Sequence, residues 1–274
     1  MQTAIIIPAR YASTRYPGKP LAELRGANGV AKPLIQRSWE AAMAVQGASS
    51  GAVQVFVATD DDRIVEAARA FGAEVLMTAP ECENGTVRCH DALRSLPEMP
   101  DLVVNLQGDA PLTPPWFVEA LITAMQVDET AAVATPVLRC DGETYGKFIE
   151  DRRAGRVGGT TAVFGSEGRA LYFSKEVVPF LGEPLASSFP PEAETPVFHH
   201  VGVYAYRPAA LDAYVTWAMG PLERLEGLEQ LRFLENGASV KCVEVDARGR
   251  VFWELNNPVD VERIEAVLRT LGME

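Results

Sequence analysis

The chain has 274 residues and a mass of 29.7 kDa, which is long enough to bury a full hydrophobic core. Its 37 acidic residues outnumber its 25 lysines and arginines, so the formal net charge of -12 argues against general binding of nucleic acid or anionic membranes. The first apolar run ends at Pro8, too early for a signal-peptide core or a membrane span. We therefore expect a cytoplasmic protein that binds any polyanion at a local site.

The first half of the sequence alternates strand and helix patterns. Short apolar runs predict strands at residues 4–8, 53–59, 74–77 and 102–106, and helical spacing predicts helices at 33–45, 61–71 and 116–125. Such alternation is typical of a largely parallel sheet covered by helices. In these sheets ligands bind beyond the carboxyl ends of the strands. Arg10 and Asp109 both follow a strand at that edge.

The second half has shorter strands and more turns. Strands are predicted at residues 132–138, 170–174 and 198–206, a change of pattern begins at 158–164, and 182–196 reads as a mobile surface loop. Helices are predicted at residues 208–217, 222–235 and 258–271. Without a fixed-period repeat, we expect residues 1–274 to form one α/β domain: a three-layer, Rossmann-like sandwich with a mostly parallel mixed sheet.

The strongest chemical signal is IIIPARYASTRYPGKPL, residues 5–21. Three cations, Arg10, Arg15 and Lys19, and two hydroxyls, Ser13 and Thr14, follow a buried strand there. Guanidinium forks and a lysine point charge suit the oxygens of a triphosphate. Composition alone would favour a solvated basic loop, but the position at a strand's carboxyl end favours an anion site. The segment has neither a Walker A nor a GxGxxG pattern, which disfavours a generic kinase or a dinucleotide-dependent oxidoreductase.

A second signal is Gln107-Gly108-Asp109, directly after the predicted strand 102–106. A carboxylate there suits Mg²⁺, which takes one or two protein carboxylates and completes its shell with phosphate oxygens and water. The alternative is an aspartate that caps a turn.

Six blocks in order along the chain carry a resemblance. They are RYASTRYPGKPL, VATDDDRI, NLQGDAPL, LYFSKEVVP, HHVGVYAYR and PLERLEGLEQLRFLENG. Together the sequence resembles the 3-deoxy-manno-octulosonate cytidylyltransferases. The resemblance implies transfer of CMP from CTP to the anomeric hydroxyl of an acidic eight-carbon sugar (Kdo), with Mg²⁺ as cofactor, pyrophosphate as leaving group, a homodimer and a role in lipopolysaccharide synthesis.

The resemblance also implies roles for individual residues. The triphosphate would be held by Arg10, Ser13, Arg15 and Lys19, and Arg88 lies in a segment that contributes to recognition of the nucleotide's cytosine. The catalytic residues would be Lys19, Arg10 and Asp109, and the metal positions are Asp109 and Asn256. The sugar would contact Gln107, Lys175, His200, Tyr204, Glu229 and Gln230. Residues 158–240 would bind the sugar and build the dimer. In the doublet His199-His200, the pattern does not decide which side chain faces the site.

Three positions depart from the family pattern. Ala110 follows Asp109 where the family usually has glutamate, and Val87 replaces an aspartate in the segment before Arg88. Asn256 stands where the family has a second metal-binding aspartate, so it contributes an oxygen but no charge. Glu254, Asp246 and Asp260 are the candidates to compensate.

These departures leave alternatives open. The chain is predicted to be an active cytidylyltransferase, either for Kdo or for a related ulosonic acid such as the 8-amino sugar. A CTP-binding regulatory protein that has lost turnover is the alternative from another class. The retained phosphate loop and Asp109 favour the enzyme. The acceptor sugar and the preference for CTP over UTP are not decided by the residues.

Overall fold

The computed structural model describes residues 1–12, 16–45, 51–182, 188–250, 254–255 and 257–274. Within these ranges, ten strands form one mixed sheet, and two further strands form a separate hairpin outside it. The predicted α/β fold is confirmed, and both halves of the chain contribute strands to the same sheet.

The N-terminal half builds the parallel part of the sheet. Its elements are β1 (Thr3–Ala9), β2 (Glu23–Arg25), β3 (Ala31–Pro33), α1 (Leu34–Met43), β4 (Val53–Thr59), α2 (Asp62–Ala70), β5 (Glu74–Met77), α3 (Gly85–Leu93), β6 (Leu102–Leu106) and α4 (Pro115–Val127). β1 pairs in parallel with β4 on one side and β6 on the other. The carboxyl ends of these strands therefore meet at one edge, as the alternation predicted.

The C-terminal half adds antiparallel strands. Its elements are β7 (Val133–Asp141), α5 (Gly142–Arg153), β8 (Thr161–Phe164), β9 (Ala170–Ser174), β10 (Glu194–His200), β11 (Val203–Tyr206), α6 (Pro208–Tyr214), α7 (Pro221–Glu226), α8 (Leu231–Glu235), β12 (Val240–Glu244) and α9 (Asp260–Thr270). β11 runs antiparallel to both β6 and β7 and so joins the two halves. The strand order is β5-β4-β1-β6-β11-β7-β10-β8-β9, and β12 pairs in parallel with β7. Apart from that pairing, the parallel part of the sheet lies in its N-terminal half.

Successive residues of β1 point to opposite faces of the sheet and enter two different cores. Ile5 and Ile7 pack in the cluster that contains the buried side chains of α1 and α4. Ile6 packs in the cluster that contains those of α3, α6 and α8. A strand buried on both faces reads as a continuous apolar run, which explains why β1 was recognisable in the sequence.

Three predicted elements differ most from the observed ones, whereas most of the others shift by one to three residues at an end. Residues 222–235 do not form one helix: α7 ends at Glu226, Gly227 follows with a left-handed φ of 63°, and α8 begins only at Leu231. Residues 198–206 form two strands, interrupted at Val201 and Gly202. The predicted loop 182–196 ends earlier, because β10 begins at Glu194; residues 183–187 lie outside the described part.

Four elements were not predicted. They are the β2–β3 hairpin, α3, α5 and β12. α3 begins with Gly85, Thr86 and Val87, which have low helix propensity. Its start is stabilised by Asn84, whose side chain accepts a hydrogen bond from the Val87 N–H. The capping residue was the sequence signal for this helix.

Candidate nucleotide and sugar site

A cleft of about 270 Å³ opens at the carboxyl ends of β1 and β6, opposite the N-terminus of α3. Its lining combines backbone-rich turns with charged side chains: Pro8, Ala9, Arg10, Lys19, Pro20, Cys82, Asn84, Gly85, Arg88, Gln107, Gly108 and Asp109. Five of the residues predicted to bind ligand lie in this lining. We call Arg10, Lys19 and Asp109 the charged wall.

Lys19 reaches the cleft because the chain turns back after β1. Gly18 has a left-handed φ of 71°, and its N–H donates to the Tyr11 carbonyl. A side chain at Gly18 would also approach the Tyr11 ring to 3.1 Å. The chain therefore bends at Gly18, directly before Lys19. Ser13 and Arg15, predicted to bind phosphate, lie outside the described residues.

Asp109 pairs directly with Lys19 in the cleft lining. The Lys19 Nζ donates to Asp109 Oδ2 at 2.6 Å, and only 15% and 25% of the two side chains are exposed. Gly108 makes this position possible, because a Cβ there would lie 2.7 Å from the Pro8 carbonyl oxygen. The Leu255 N–H donates to the Asp109 carbonyl at 2.9 Å. An aspartate that only caps a turn would need no lysine partner, whereas the Asp109 carboxylate pairs with Lys19 in the cleft.

Leu255 belongs to a third apolar cluster, which holds the C-terminal helix in place. Its buried members are Leu24, Leu34, Leu112, Leu255, Ile264 and Leu268. The cluster joins the β2–β3 hairpin, the turn after Asp109 and α9. The backbone at Asp109 is therefore fixed by residues that are far away in sequence.

Gln107 in the cleft lining begins a group of polar side chains that we call the polar network: Gln107, His200, Tyr204, Glu229 and Gln230. Hydrogen bonds join Gln107 to Glu229 and Tyr204 to Gln230, and a ring contact joins His200 to Tyr204. Glu229 accepts hydrogen bonds from the Thr86 N–H at 3.2 Å and from Gln107 Nε2 at 3.4 Å. Burial raises the pKa of the Glu229 carboxyl, and the Thr86 N–H opposes that rise. The network thus begins at the cleft lining and continues inward.

Tyr204 and Gln230 form its buried part. The Tyr204 hydroxyl donates to Gln230 Oε1 at 3.1 Å, and both residues are less than 5% exposed. Gln230 Nε2 has no hydrogen-bond partner among the described residues. Glu229 and Gln230 lie between α7 and α8, so the helix break at Gly227 is what turns these two side chains inward.

The histidine doublet is now resolved. His200 Nε2 lies 2.8 Å from the Thr135 hydroxyl, and the ring packs 5.6 Å from the Tyr204 ring. His199 packs instead against Phe148, at 5.3 Å between ring centroids. Burial lowers the pKa of His200 to about 3, so its imidazole is neutral at pH 7. Of the two, His200 is the one beside the polar network.

The backbone of Lys175 is hydrogen-bonded to Glu226, which lies outside the polar network. Its N–H donates to Glu226 Oε2 at 2.9 Å, and its Nζ lies 3.2 Å from where a Cβ on Gly227 would stand. Lys175 therefore flanks the turn that precedes Glu229. It adds a cation next to the network without a described contact to Glu229.

The geometry is shared with known proteins. A family model described as "Cytidylyltransferase" matches residues 4–242. The 3-deoxy-manno-octulosonate cytidylyltransferase of Maricaulis maris is 41% identical over 272 residues, covering 99% of both chains. That of Chlamydia pneumoniae is 37% identical, covering 97% of this chain and 94% of its own. The chain belongs to the 3-deoxy-manno-octulosonate cytidylyltransferase family. It is therefore a nucleotidyltransferase, as the motifs predicted.

Solved structures agree with this membership. A structure of CMP:2-keto-3-deoxy-manno-octonic acid synthetase complexed with CTP matches with a TM-score of 0.81 at 32% identity, covering 99% of this chain and 100% of that chain. The fold of this chain is therefore that of a cytidylyltransferase. No helix in the described ranges is long and apolar enough to cross a membrane.

The described residues could hold a metal ion only if the substrate supplied further ligands. Among the described residues, no group of three or more His, Cys, Asp or Glu side chains is arranged to hold a metal. Asp109 supplies one carboxylate, and Asn256 lies outside the described part. Mg²⁺ is commonly bound by one or two carboxylates plus substrate phosphates. Asp109, which pairs with Lys19 in the cleft, supplies one such carboxylate.

Of the three compensating candidates, two have structural roles. Asp260 Oδ2 accepts the Asn257 N–H before α9, and Asp246 Oδ1 accepts the Arg248 N–H in a turn. Glu254 differs, because its Oε1 lies 3.6 Å from where a Cβ on Gly202 would stand, beside Gln107. Glu254 is thus the candidate nearest the cleft.

Sequence reasoning missed one buried polar residue of this region. Asn105 is 0% exposed, and neither of its amide atoms has a hydrogen-bond partner in the described ranges. Its Nδ2 lies 3.0 Å from where a Cβ on Gly85 would stand. The signal was present, since Asn105 is the one polar residue in the strand LVVNL. A buried unpaired amide is rare enough to mark a functional region.

Proposed function

We propose that this protein transfers CMP from CTP to 3-deoxy-manno-octulosonate, releasing CMP-Kdo and pyrophosphate for lipopolysaccharide synthesis. The observation that carries the proposal is the Lys19–Asp109 pair at 2.6 Å, in a cleft that also contains Arg10. This pair supports a site in which a cation for the triphosphate lies next to a carboxylate that would hold the metal. Family membership supplies the substrates, since the relatives named above are cytidylyltransferases for this sugar.

In this proposal the charged wall binds the triphosphate. Arg10 and Lys19, with Ser13 and Arg15 of the same loop, donate to its oxygens and stabilise the charge that develops as pyrophosphate leaves. When the triphosphate binds, the Lys19 ammonium leaves Asp109 and donates to the phosphate oxygens instead. Asp109, with Asn256, would hold Mg²⁺, which supplies further charge neutralisation at the phosphates when bound.

The polar network binds the acidic sugar. Gln107, Tyr204, Glu229 and Gln230 offer neutral donors and acceptors together with one carboxylate, which suits the hydroxyl groups of a sugar. Neutral His200 fixes the inner end through Thr135. Lys175 adds a positive charge near Glu229 for the sugar's carboxylate. The sugar hydroxyl then attacks the α-phosphorus in line, with no covalent enzyme intermediate.

Other features come from the resemblance alone. The homodimer and the cytoplasmic location stay predictions, as does the part of residues 158–240 in dimer formation.

Pyrophosphate release across a grid of nucleotides and ulosonic acids, at several Mg²⁺ concentrations, tests the proposal. We expect turnover with CTP and Kdo that depends on Mg²⁺. Faster turnover with an 8-amino sugar would reassign the acceptor. Tight CTP binding without turnover on any sugar would contradict the proposal and support a regulatory protein instead.

A further inference from the structure

Tyr214 is a fully buried tyrosine at the C-terminal end of α6, and its hydroxyl lies where three elements meet. Asn84, the residue that caps α3, donates from its Nδ2 to this hydroxyl at 3.1 Å. The backbone carbonyl of Glu229, between α7 and α8, lies 3.4 Å from the same hydroxyl. Asn84 lines the cleft, whereas Glu229 belongs to the polar network. One hydroxyl therefore connects two parts of the site.

The Tyr214 hydroxyl accepts from Asn84 and has one proton to donate. Burial raises the pKa of Tyr214, so this proton is retained at pH 7. It is shared between the Glu229 carbonyl and Glu223 Oε1, each 3.4 Å from the hydroxyl oxygen. The Glu229 carbonyl also accepts the Arg232 N–H at 3.2 Å, and a carbonyl has two lone pairs. The hydroxyl thus holds the backbone of Glu229.

A buried ion pair fixes the ring that carries this hydroxyl. Arg232 Nε and Nη2 donate to the two carboxylate oxygens of Glu223 at 2.6 and 2.8 Å, and less than 5% of either residue is exposed. The Arg232 guanidinium carbon lies 4.3 Å from the centroid of the Tyr214 ring. Buried ion pairs are weak evidence for a gain in stability, because apolar residues often replace them without loss. This pair joins α7 to α8 and keeps Tyr214 against the turn between them.

The two ends of the connection differ in how well they are held without Tyr214. Asn84 Oδ1 accepts the Val87 N–H at 2.9 Å, so the first turn of α3 is capped by its own segment. Glu229 lies outside both helices, in the stretch that follows the end of α7 at Glu226. Loss of the hydroxyl would therefore release the Glu229 turn rather than the start of α3.

The side chain of Glu229 is tied to the same turn of α3. The Thr86 N–H donates to Glu229 Oε2 at 3.2 Å, and the Thr86 hydroxyl lies 2.8 Å from the Tyr206 hydroxyl. The carboxylate of Glu229 is thus attached to α3 directly, and its carbonyl is attached through Tyr214. Two attachments fix the orientation of a residue that one attachment would leave free to rotate.

We propose that Tyr214 is a positioning residue that holds Glu229 against the first turn of α3, so that the Glu229 carboxylate meets the sugar at a fixed distance from the nucleotide. The inference rests on the proposed binding of an acidic sugar by the polar network. It adds a residue that acts on the sugar through Glu229.

Initial-rate kinetics of Tyr214→Phe test this inference, because the substitution removes only the hydroxyl and keeps the ring beside Arg232. The KM for Kdo should rise about three- to tenfold, the range expected for loss of one hydrogen bond, while the KM for CTP stays within about twofold. Tyr145→Phe is the matched control, since it removes the hydroxyl of a buried tyrosine in a different apolar cluster. It should leave both KM values unchanged.

A double substitution tests whether Tyr214 acts through Glu229. Glu229→Ala leaves no carboxylate to position, so adding Tyr214→Phe to it should raise the KM for Kdo by less than about twofold further. If the effects of the two substitutions multiply, the inference is wrong. Equal rises in the KM for CTP and for Kdo in Tyr214→Phe alone, or no rise in either, would also overturn it.

Amide hydrogen exchange in the free protein separates this inference from the proposed function. In Tyr214→Phe the Thr86 amide, which donates to Glu229, should exchange faster than in the wild-type protein. The Val87 amide, which donates to Asn84, should keep its rate. Faster exchange at Thr86 without turnover of any sugar would contradict the proposed function and support the positioning of Glu229. Unchanged exchange at Thr86 would overturn the inference whatever the turnover.

Discussion

The charged wall and the polar network meet at Gln107 but are held together by different forces. In the charged wall, Lys19 and Asp109 are partly exposed and pair directly with each other. In the polar network, Tyr204 and Gln230 are buried and joined by neutral hydrogen bonds. Partly exposed charges can exchange partners at low cost, whereas buried hydrogen bonds fix geometry because leaving them unmade is costly. The charged wall is therefore suited to a lysine that leaves Asp109 to bind phosphates. The polar network is suited to recognising the shape of a ligand.

The most severe test of this comparison removes the lysine. Lys19→Ala should lower kcat about 10²- to 10³-fold, as expected for loss of one preorganised charge contact to the transition state. The fold should persist, because the lysine's one described partner, Asp109, is partly exposed. Pyrophosphate release measures the rate. Lys147→Ala, which removes an exposed lysine paired with Glu143, is the control and should behave as wild type. Wild-type turnover by Lys19→Ala would refute the role of the charged wall.

The sequence was most informative about the charged wall. β4, β5 and β6 were predicted with their observed bounds, and the cations after β1 were recognised because a loop at a parallel strand's carboxyl end must face the site. Local patterns were enough for these elements.

The polar network was located only through the resemblance. Glu229 and Gln230 lie in a stretch with helical spacing, and nothing in that spacing shows that Gly227 ends α7 in a left-handed conformation. Likewise, the choice between His199 and His200 depends on β10 register, which is set by pairing with β7. Tertiary contacts decide these features, and local sequence does not encode them alone.

A second test concerns the metal opposite the lysine. Asp109→Asn should raise the Mg²⁺ concentration needed for half-maximal activity, because the carboxylate charge is lost. Asn256→Asp should lower it by restoring the carboxylate typical of the family. Titration of the initial rate with Mg²⁺ measures both. If the two titration curves coincide with that of the wild-type protein, the metal is held elsewhere.

The polar network is tested through Glu229. Its pKa is raised by burial, so the folded protein binds this proton more tightly than the unfolded chain. Its ionisation therefore destabilises the fold as pH rises from the ordinary glutamate range through the raised pKa. The stability of Glu229→Gln minus that of the wild-type protein should therefore be larger at pH 8 than at pH 4. The KM for the sugar should rise in the same variant. Thermal melts at the two pH values measure the difference, and a gap that does not depend on pH would contradict it.

The smallest expected effect is at the turn that orients the network. Gly227→Ala forces a side chain into a left-handed conformation, at a cost of about 1 to 2 kcal/mol. The melting temperature should fall by a few degrees, and the KM for the sugar should rise more than that for CTP. Gly72→Ala, which has a φ of 88° after α2, is the control for strain away from the network. Equal changes in both KM values would show that the turn does not serve the network alone.

The contact between Leu255 and Asp109 has a consequence for synthesis of the protein. The parallel strands β1, β4, β5 and β6, together with Lys19 and Asp109, are all translated within about the first 110 residues of the chain. The backbone partner of Asp109 and the helix that packs behind it emerge from the ribosome only after residue 254. A nascent chain therefore carries the charges of the charged wall long before their backbone is fixed. Full assembly of the cleft waits for nearly the whole polypeptide to be made.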